Sequence, residues 1–180
     1  MSESVNIQMF GLINSLAGSN TWLNGVAVLV AEYTPIAGLL YLSVAWFLGT
    51  HFIRKIVICA LCSAVVGLVI NYLVSIIYPH PRPFMIPLGR MLIPHRPGAS
   101  FPSDHTTLIL SLSFLLMWFK ETRTAGILLS LLGFLGGIAR VFCGVHFPLD
   151  IAGSCVVALS SSVTVYLFKS RIAYTARRFT

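Results

Sequence analysis

From Trp22 to Leu48 the chain is almost wholly apolar, interrupted by Glu32 and Pro35. At 1.5 Å per residue a helix of that length runs to about 40 Å, longer than the roughly 30 Å hydrocarbon core of a bilayer. The stretch therefore predicts a partly inserted or interfacial helix up to Tyr33, then a spanning helix from about Pro35 to Gly49. Comparable apolar runs predict spans at about Ile53 to Tyr78, His105 to Phe119, Thr124 to Phe142 and Pro148 to Phe168, the run from His105 to Phe119 being short for a span. Ahead of them, Val5 to Leu16 places Ile7, Phe10, Ile13 and Leu16 three apart, which suits an amphipathic helix at a membrane surface. The expected fold is an all-α integral membrane protein. It is a helical bundle of about five to six transmembrane helices with an N-terminal amphipathic interfacial helix.

Composition agrees with that class. Of 180 residues, 57% are hydrophobic and 9% charged, against about 25% charged in soluble domains, and the mean hydropathy is +0.88. The length suits one domain: residues 1–33 interfacial or partly inserted, 35–170 a transmembrane core, and 171–180 a basic cytoplasmic tail. A net charge of +7 suggests nucleic acid at first sight, but in so apolar a chain the basic residues are better read as topology signals. The expected partners are membrane lipids and not nucleic acid. Arg54 and Lys55 flank one turn, Lys120 and Arg123 another, and Lys169, Arg171, Arg177 and Arg178 crowd the C-terminus. With five spans all of these fall on one side, which the positive-inside rule makes cytoplasmic. Met1 to Asn20 lacks the basic start and cleavage site of a signal peptide, so it is expected to remain in the mature protein. Cys59, Cys62, Cys143 and Cys155 lie in or beside apolar stretches and read as packing residues, the Cys59-x-x-Cys62 pair included.

Against this background three polar islands stand out: Arg82-Pro83, Phe-Pro-Ser103-Asp104-His105, and Arg140-x5-His146-x3-Asp150. Arginines hold phosphate oxygens in a fork, and histidines attack phosphorus or move protons. In the predicted topology the helices after His105 and Phe147 both begin on the outer side. Their N-termini offer free N–H groups and partial positive charge to an anion there. Ser103 is a natural N-cap and Pro148 suits a first helical turn. His146 and Asp150, four apart at a helix start, allow a carboxylate to orient an imidazole. Each residue also has a plainer reading: Arg82 snorkelling to the interface, Ser103 only capping, His105 only interfacial. A zinc triad of His105, His146 and Asp150 is the competing use of the cluster; Arg82 and Arg140 beside it argue against a cation. Glu32 is either an interfacial carboxylate in water or a member of the site.

The three islands resemble the motifs of the PAP2 (type 2 phosphatidic acid phosphatase) superfamily: Lys-x6-Arg-Pro, Pro-Ser-Gly-His and Ser-Arg-x5-His-x3-Asp. Here they read Ser75-x6-Arg82-Pro83, Pro102-Ser103-Asp104-His105 and Ala139-Arg140-x5-His146-x3-Asp150. The resemblance implies that His146 is a nucleophile forming a phosphohistidine, oriented by Asp150. It implies that His105 protonates the leaving group and then activates water, that Arg82, Ser103 and Arg140 bind the phosphoryl oxygens, and that no metal or other cofactor is needed. Three positions depart from the pattern. Ser75 replaces the lysine, so a phosphate cation is missing, and Arg90 or Arg96 in the long loop is the candidate to supply it. Ala139 replaces a serine. Asp104 replaces glycine, placing a further carboxylate beside the site. Pro-Ser-Asp-His, the short chain and the Ala-Glu32-Tyr segment resemble the bacitracin-resistance branch, the undecaprenyl-diphosphatases. That branch implies a polyprenyl diphosphate substrate and an outward-facing site in a bacterial cytoplasmic membrane. A phosphatidylglycerophosphate or phosphatidate phosphatase, a lipid phosphotransferase, and an antibiotic-export membrane subunit are the alternatives.

Overall fold

The computed structural model describes residues 3–175, which form helices α1 (Glu3–Asn14), α2 (Thr21–Leu48), α3 (His51–Ile77), α4 (Asp104–Met117), α5 (Arg123–Phe142), α6 (Pro148–Leu167) and α7 (Lys169–Thr175). A single 3₁₀ turn, Pro83–Met85, follows Arg82. The starts are locally encoded. The Asn20 side chain accepts from the N–H groups of Trp22 and Leu23, Thr50 accepts from Ile53, Ser103 accepts from Thr106, and Pro148 opens α6. Four helices, α2, α3, α5 and α6, are long and apolar enough to cross a membrane. Side chains such as Phe47, Ile77, Leu128 and Val156 point outward from them, forming an apolar exterior suited to lipid.

The shorter apolar helix α4 has 14 residues and is only about 21 Å long. It packs against α2, α3, α5 and α6, and Leu110, Leu112, Leu115 and Leu116 are buried. A helix enclosed by others need not match the bilayer by itself, because its flanking backbone is buried in protein. Small polar side chains join the helices where they cross. Ser63 of α3 donates to the Ser111 carbonyl of α4 at 2.9 Å, and Ser161 of α6 donates to the Ser111 hydroxyl at 3.1 Å. Close approach with short hydroxyl bridges is the usual means of holding membrane helices together. At Gly67 a Cβ would come within 2.5 Å of the Ser111 oxygen.

One expectation is corrected. No break occurs between Tyr33 and Pro35: the two helices expected from Trp22 to Gly49 are one, α2, with Pro35 buried inside it. Proline removes one N–H and leaves the carbonyl four residues back, that of Ala31, without its helical donor. Arg140 of α5 donates to that carbonyl through Nη1 at 3.3 Å. A neighbouring helix thus satisfies the freed group, as the low-dielectric setting requires. Residues at the start of the expected tail belong to a further helical turn, α7, whereas Arg177 and Arg178 lie outside the described residues. Helix α1 buries a mixed face. Asn6, Phe10 and Asn14 are its buried residues, and Val5, Met9, Leu12 and Leu16 are the exposed apolar ones nearby.

Candidate active site

The three islands meet at one end of the bundle, and the N-termini of α4 and α6 touch there. The Ser103 N–H donates to the Ser154 hydroxyl at 2.9 Å, and that hydroxyl donates to the Ser103 carbonyl at 3.0 Å. The α5–α6 connection is a tight turn. Gly144 has φ +78, and a Cβ there would lie 2.3 Å from the Arg90 carbonyl oxygen, so the position needs glycine both for its conformation and for its space.

The turn delivers His146, 1% exposed, to a fully specified position. Its Nδ1 lies 3.1 Å from the Asp150 carboxylate and its Nε2 lies 3.1 Å from Arg82 Nη1. A carboxylate accepts and a guanidinium donates, so Nδ1 carries the proton and Nε2 the lone pair. The same Asp150 oxygen accepts from the Phe147 N–H at 2.8 Å and from the Ser100 hydroxyl. Burial depresses the His146 pKa to about 4, overriding the pull of Asp150, and Arg140 and Arg82 push the same way. The imidazole is therefore neutral near pH 7.

Arg82 and Arg140 are 8% and 2% exposed. Besides its contact with His146, Arg82 donates to the Val145 carbonyl at 3.1 Å. Among the described residues neither guanidinium forms an ion pair, and the Nε–H of each is buried without a partner. Buried, unpaired cations with donors left over are costly unless an anion meets them. The phosphoryl group expected from the sequence has the charge and the acceptor oxygens to do so. His105 shares with Arg140 a narrow gap between α2, α4 and α5, lined also by Thr34, Pro35, Gly133, Gly136 and Gly137. The Ser103 hydroxyl accepts from the Thr106 N–H at 3.5 Å and from the Thr106 hydroxyl at 3.2 Å, leaving its own proton free to donate. Among the described residues no three His, Cys, Asp or Glu side chains group as metal ligands.

The secondary candidates separate. Asp104 accepts from Asn71 of α3 at 3.0 Å and lines a groove with Ser75, Tyr72 and Pro102. Ser75 donates to the Tyr72 carbonyl of its own helix at 2.8 Å. Glu32 is exposed on α2 and close enough to Arg140 to act on it electrostatically. Arg90 is directed to the end of α1, donating to the Ala17 carbonyl at 3.2 Å. Arg96 is exposed, and its carbonyl accepts from His95 Nδ1 at 3.0 Å. Two residues not singled out by sequence reasoning belong to the cluster. Ser100 is buried on Asp150. His95 is half-buried and within electrostatic reach of Arg82, Arg140 and Asp104; burial lowers its pKa, and the two arginines add to that. Neither sits in a motif; the adjoining Phe-Pro-Ser run was the one available pointer to Ser100.

The fold and the site together define a class, a polytopic membrane protein with a buried histidine flanked by two buried arginines at one end of its helices. The family model of the PAP2 superfamily matches residues 55–173, and the chain belongs to that superfamily. It is 39% identical over 155 residues to the undecaprenyl-diphosphatase BcrC of Bacillus subtilis, covering 86% of this chain and 79% of that one. It is 33% identical over 173 residues to the bacitracin transport permease protein BcrC of Bacillus licheniformis, covering 96% and 84%. The crystal structure of Aquifex aeolicus LpxE superposes with a TM-score of 0.75 at 23% identity over 91% of this chain and 95% of that chain, a likeness of fold.

Proposed function

We propose that the protein is an undecaprenyl-diphosphate phosphatase, releasing inorganic phosphate and undecaprenyl phosphate through a phosphohistidine. The observation that carries this reading is the pinning of a neutral His146 between Asp150 and Arg82, beside two buried guanidiniums with donors to spare. The His146 Nε2 lone pair attacks the terminal phosphorus, and the bond from that phosphorus to the bridging oxygen breaks. His105, charged once the anionic diphosphate lies beside it, gives its extra proton to the departing undecaprenyl phosphate and is left neutral. Asp150 stabilises the imidazolium character that develops on His146. His105 then takes a proton from water, the hydroxide attacks the phosphohistidine, and phosphate leaves with His146 restored. Arg82, Arg140 and the Ser103 hydroxyl hold the equatorial oxygens, so cationic side chains supply the charge stabilisation that the transfer needs.

The site faces outward in this reading. Arg54, Lys55, Lys120, Arg123, Lys169 and Arg171 lie at the helix ends opposite the site, which the positive-inside rule assigns to the cytoplasm. A second reading, antibiotic export, is suggested by the Bacillus licheniformis relative, a bacitracin transport permease protein by name.

One experiment separates them. Purified protein in detergent, with no gradient, is given undecaprenyl diphosphate, phosphatidate and phosphatidylglycerophosphate, and phosphate release is measured for wild type and His146→Ala. Release from undecaprenyl diphosphate that disappears in His146→Ala is the expected outcome. No release from any lipid overturns the enzyme reading, and preferential release from a glycerolipid moves the substrate class.

A further inference from the structure

Helix α1 contributes no motif residue, and it lies outside residues 55–173, the span matched by the family. Yet it grips the segment that carries His146 at three points. The Asn14 Nδ2 donates to the Phe142 carbonyl at 2.8 Å, where α5 ends. The Phe10 ring packs on that of Phe147, with centroids 5.3 Å apart. The Asn6 Oδ1 accepts from the Leu149 N–H at 3.1 Å, in the first turn of α6. Residues 6, 10 and 14 recur every fourth position and so share one helical face, and all three are buried. Two buried amides on a face that would otherwise be apolar are costly unless their bonds are made. Here the bonds go to the two ends of the catalytic turn.

We infer that α1 is a positioning element for the nucleophile, with Asn6 and Asn14 as its positioning residues. The inference rests on the reading of His146 as the nucleophile. Nucleophilic attack tolerates little misplacement; an error near 1 Å costs about a hundredfold in rate. His146 sits on a short turn between two helix ends. Fixing the Phe142 carbonyl and the Leu149 amide fixes the frame in which Nδ1 meets Asp150 and Nε2 meets Arg82.

The chemistry of the two clamps differs, and that makes the inference sharp. Asn6 engages Leu149 through its oxygen, so aspartate at that position keeps the bond and places a carboxylate at a helix N-terminus. Asn14 must donate: its Nδ2 serves the Phe142 carbonyl and also the Arg90 carbonyl at 2.8 Å, while its Oδ1 accepts from the Arg90 N–H at 2.7 Å. Aspartate at position 14 sets a carboxylate against two carbonyl oxygens.

The test measures kcat and KM for undecaprenyl diphosphate in detergent, per folded molecule, for Asn6→Leu, Asn6→Asp, Asn14→Leu, Asn14→Asp and His146→Ala. Amide hydrogen exchange at Leu149 is followed in the same proteins. Expected are a fall in kcat of about ten- to hundredfold with KM little changed for Asn6→Leu, Asn14→Leu and Asn14→Asp. Substantial rescue is expected in Asn6→Asp, and loss of Leu149 protection in Asn6→Leu but not in Asn6→Asp. Wild-type kcat in both leucine variants, with His146→Ala inactive, overturns the inference. The same response to aspartate at both positions also overturns it. Should a leucine variant fail to fold, the contrast between the two aspartate variants decides. Full turnover in His146→Ala sinks the nucleophile reading instead, and Leu149 exchange then reports on the clamp independently of turnover.

Discussion

Arg82 donates from Nη1 to the Nε2 of His146 across 3.1 Å, occupying the lone pair that reaches phosphorus in the proposed mechanism. The contact fixes the tautomer, yet it must give way when a phosphoryl group arrives. Arg82 is able to change partner without becoming unpaired, since phosphate oxygens accept what Nε2 relinquishes. Arg82→Ala should lower kcat/KM by about a hundred- to thousandfold, the range for losing one donor to the transferring group. Arg82→Lys should recover little, because a point charge cannot serve the Val145 carbonyl and the phosphate in the same planar fork. Steady-state phosphate release measures both, and recovery by lysine to near wild type would reduce Arg82 to a charge.

Ser100 offers a test away from the phosphate. It is buried and donates to the Asp150 oxygen that also receives His146 and Phe147. Ser100→Ala removes a bond to a charged group, worth about 1.5–3 kcal/mol. The expectation is a kcat at least about tenfold lower, in line with that energy, with KM nearly constant and a lowered melting temperature. An unchanged kcat would mean that the two remaining donors orient Asp150 unaided.

The His146 pKa sets a pH dependence of stability. The folded value is near 4 against an ordinary 6.5, with burial the largest cause. Between these values the unfolded chain binds the proton that the native protein refuses, so stability rises with pH through that window. This contribution is complete above pH 6.5 and is lost as pH falls toward 4. Melting temperature measured from pH 7 to pH 4 should fall more steeply in wild type than in His146→Gln. Parallel curves would show that His146 does not titrate in this way.

His95 stands within electrostatic reach of both arginines on the loop between the first two motifs. Its Nδ1 donates to the Arg96 carbonyl, so Nε2 can donate to a diphosphate only when the ring takes up a second proton, which an arriving anion favours. His95→Ala should raise KM for the diphosphate by about tenfold, the worth of one hydrogen bond to a charged group, with a smaller effect on kcat. Equal KM values in the two proteins would place His95 outside the binding set.

The spans were legible because their signals are local and redundant: α3, α5 and α6 begin and end within two residues of expectation, where apolar runs meet Thr50, Arg123 or Pro148. The third motif was legible because His146 and Asp150 are fixed by a helical spacing of four. Less visible was anything decided between elements. Pro35 reads as a boundary until the guanidinium that takes up its spare carbonyl is known. Asn6 and Asn14 read as the wet side of an interfacial helix until their partners on the catalytic turn are seen. Arg90 looked like a replacement cation, but the turn at Gly18 leaves the Ala17 carbonyl free to bind it. The loop from Pro87 to Ala99 carries no periodicity, so the approach of His95 to the arginines had no sequence signature.

The proline in α2 couples the site to the bilayer. Arg140 rests on the carbonyl that Pro35 releases, and α2, at 28 residues or about 42 Å, is longer than the hydrocarbon layer and must tilt to fit it. Its tilt moves the Ala31 oxygen, and with it the resting place of the Arg140 guanidinium. Membrane thickness thereby becomes a mechanical input to an enzyme whose chemistry lies at the membrane's edge. Turnover in vesicles of graded acyl length should pass through an optimum that Pro35→Ala, which lets the helix reclaim its own carbonyl, flattens.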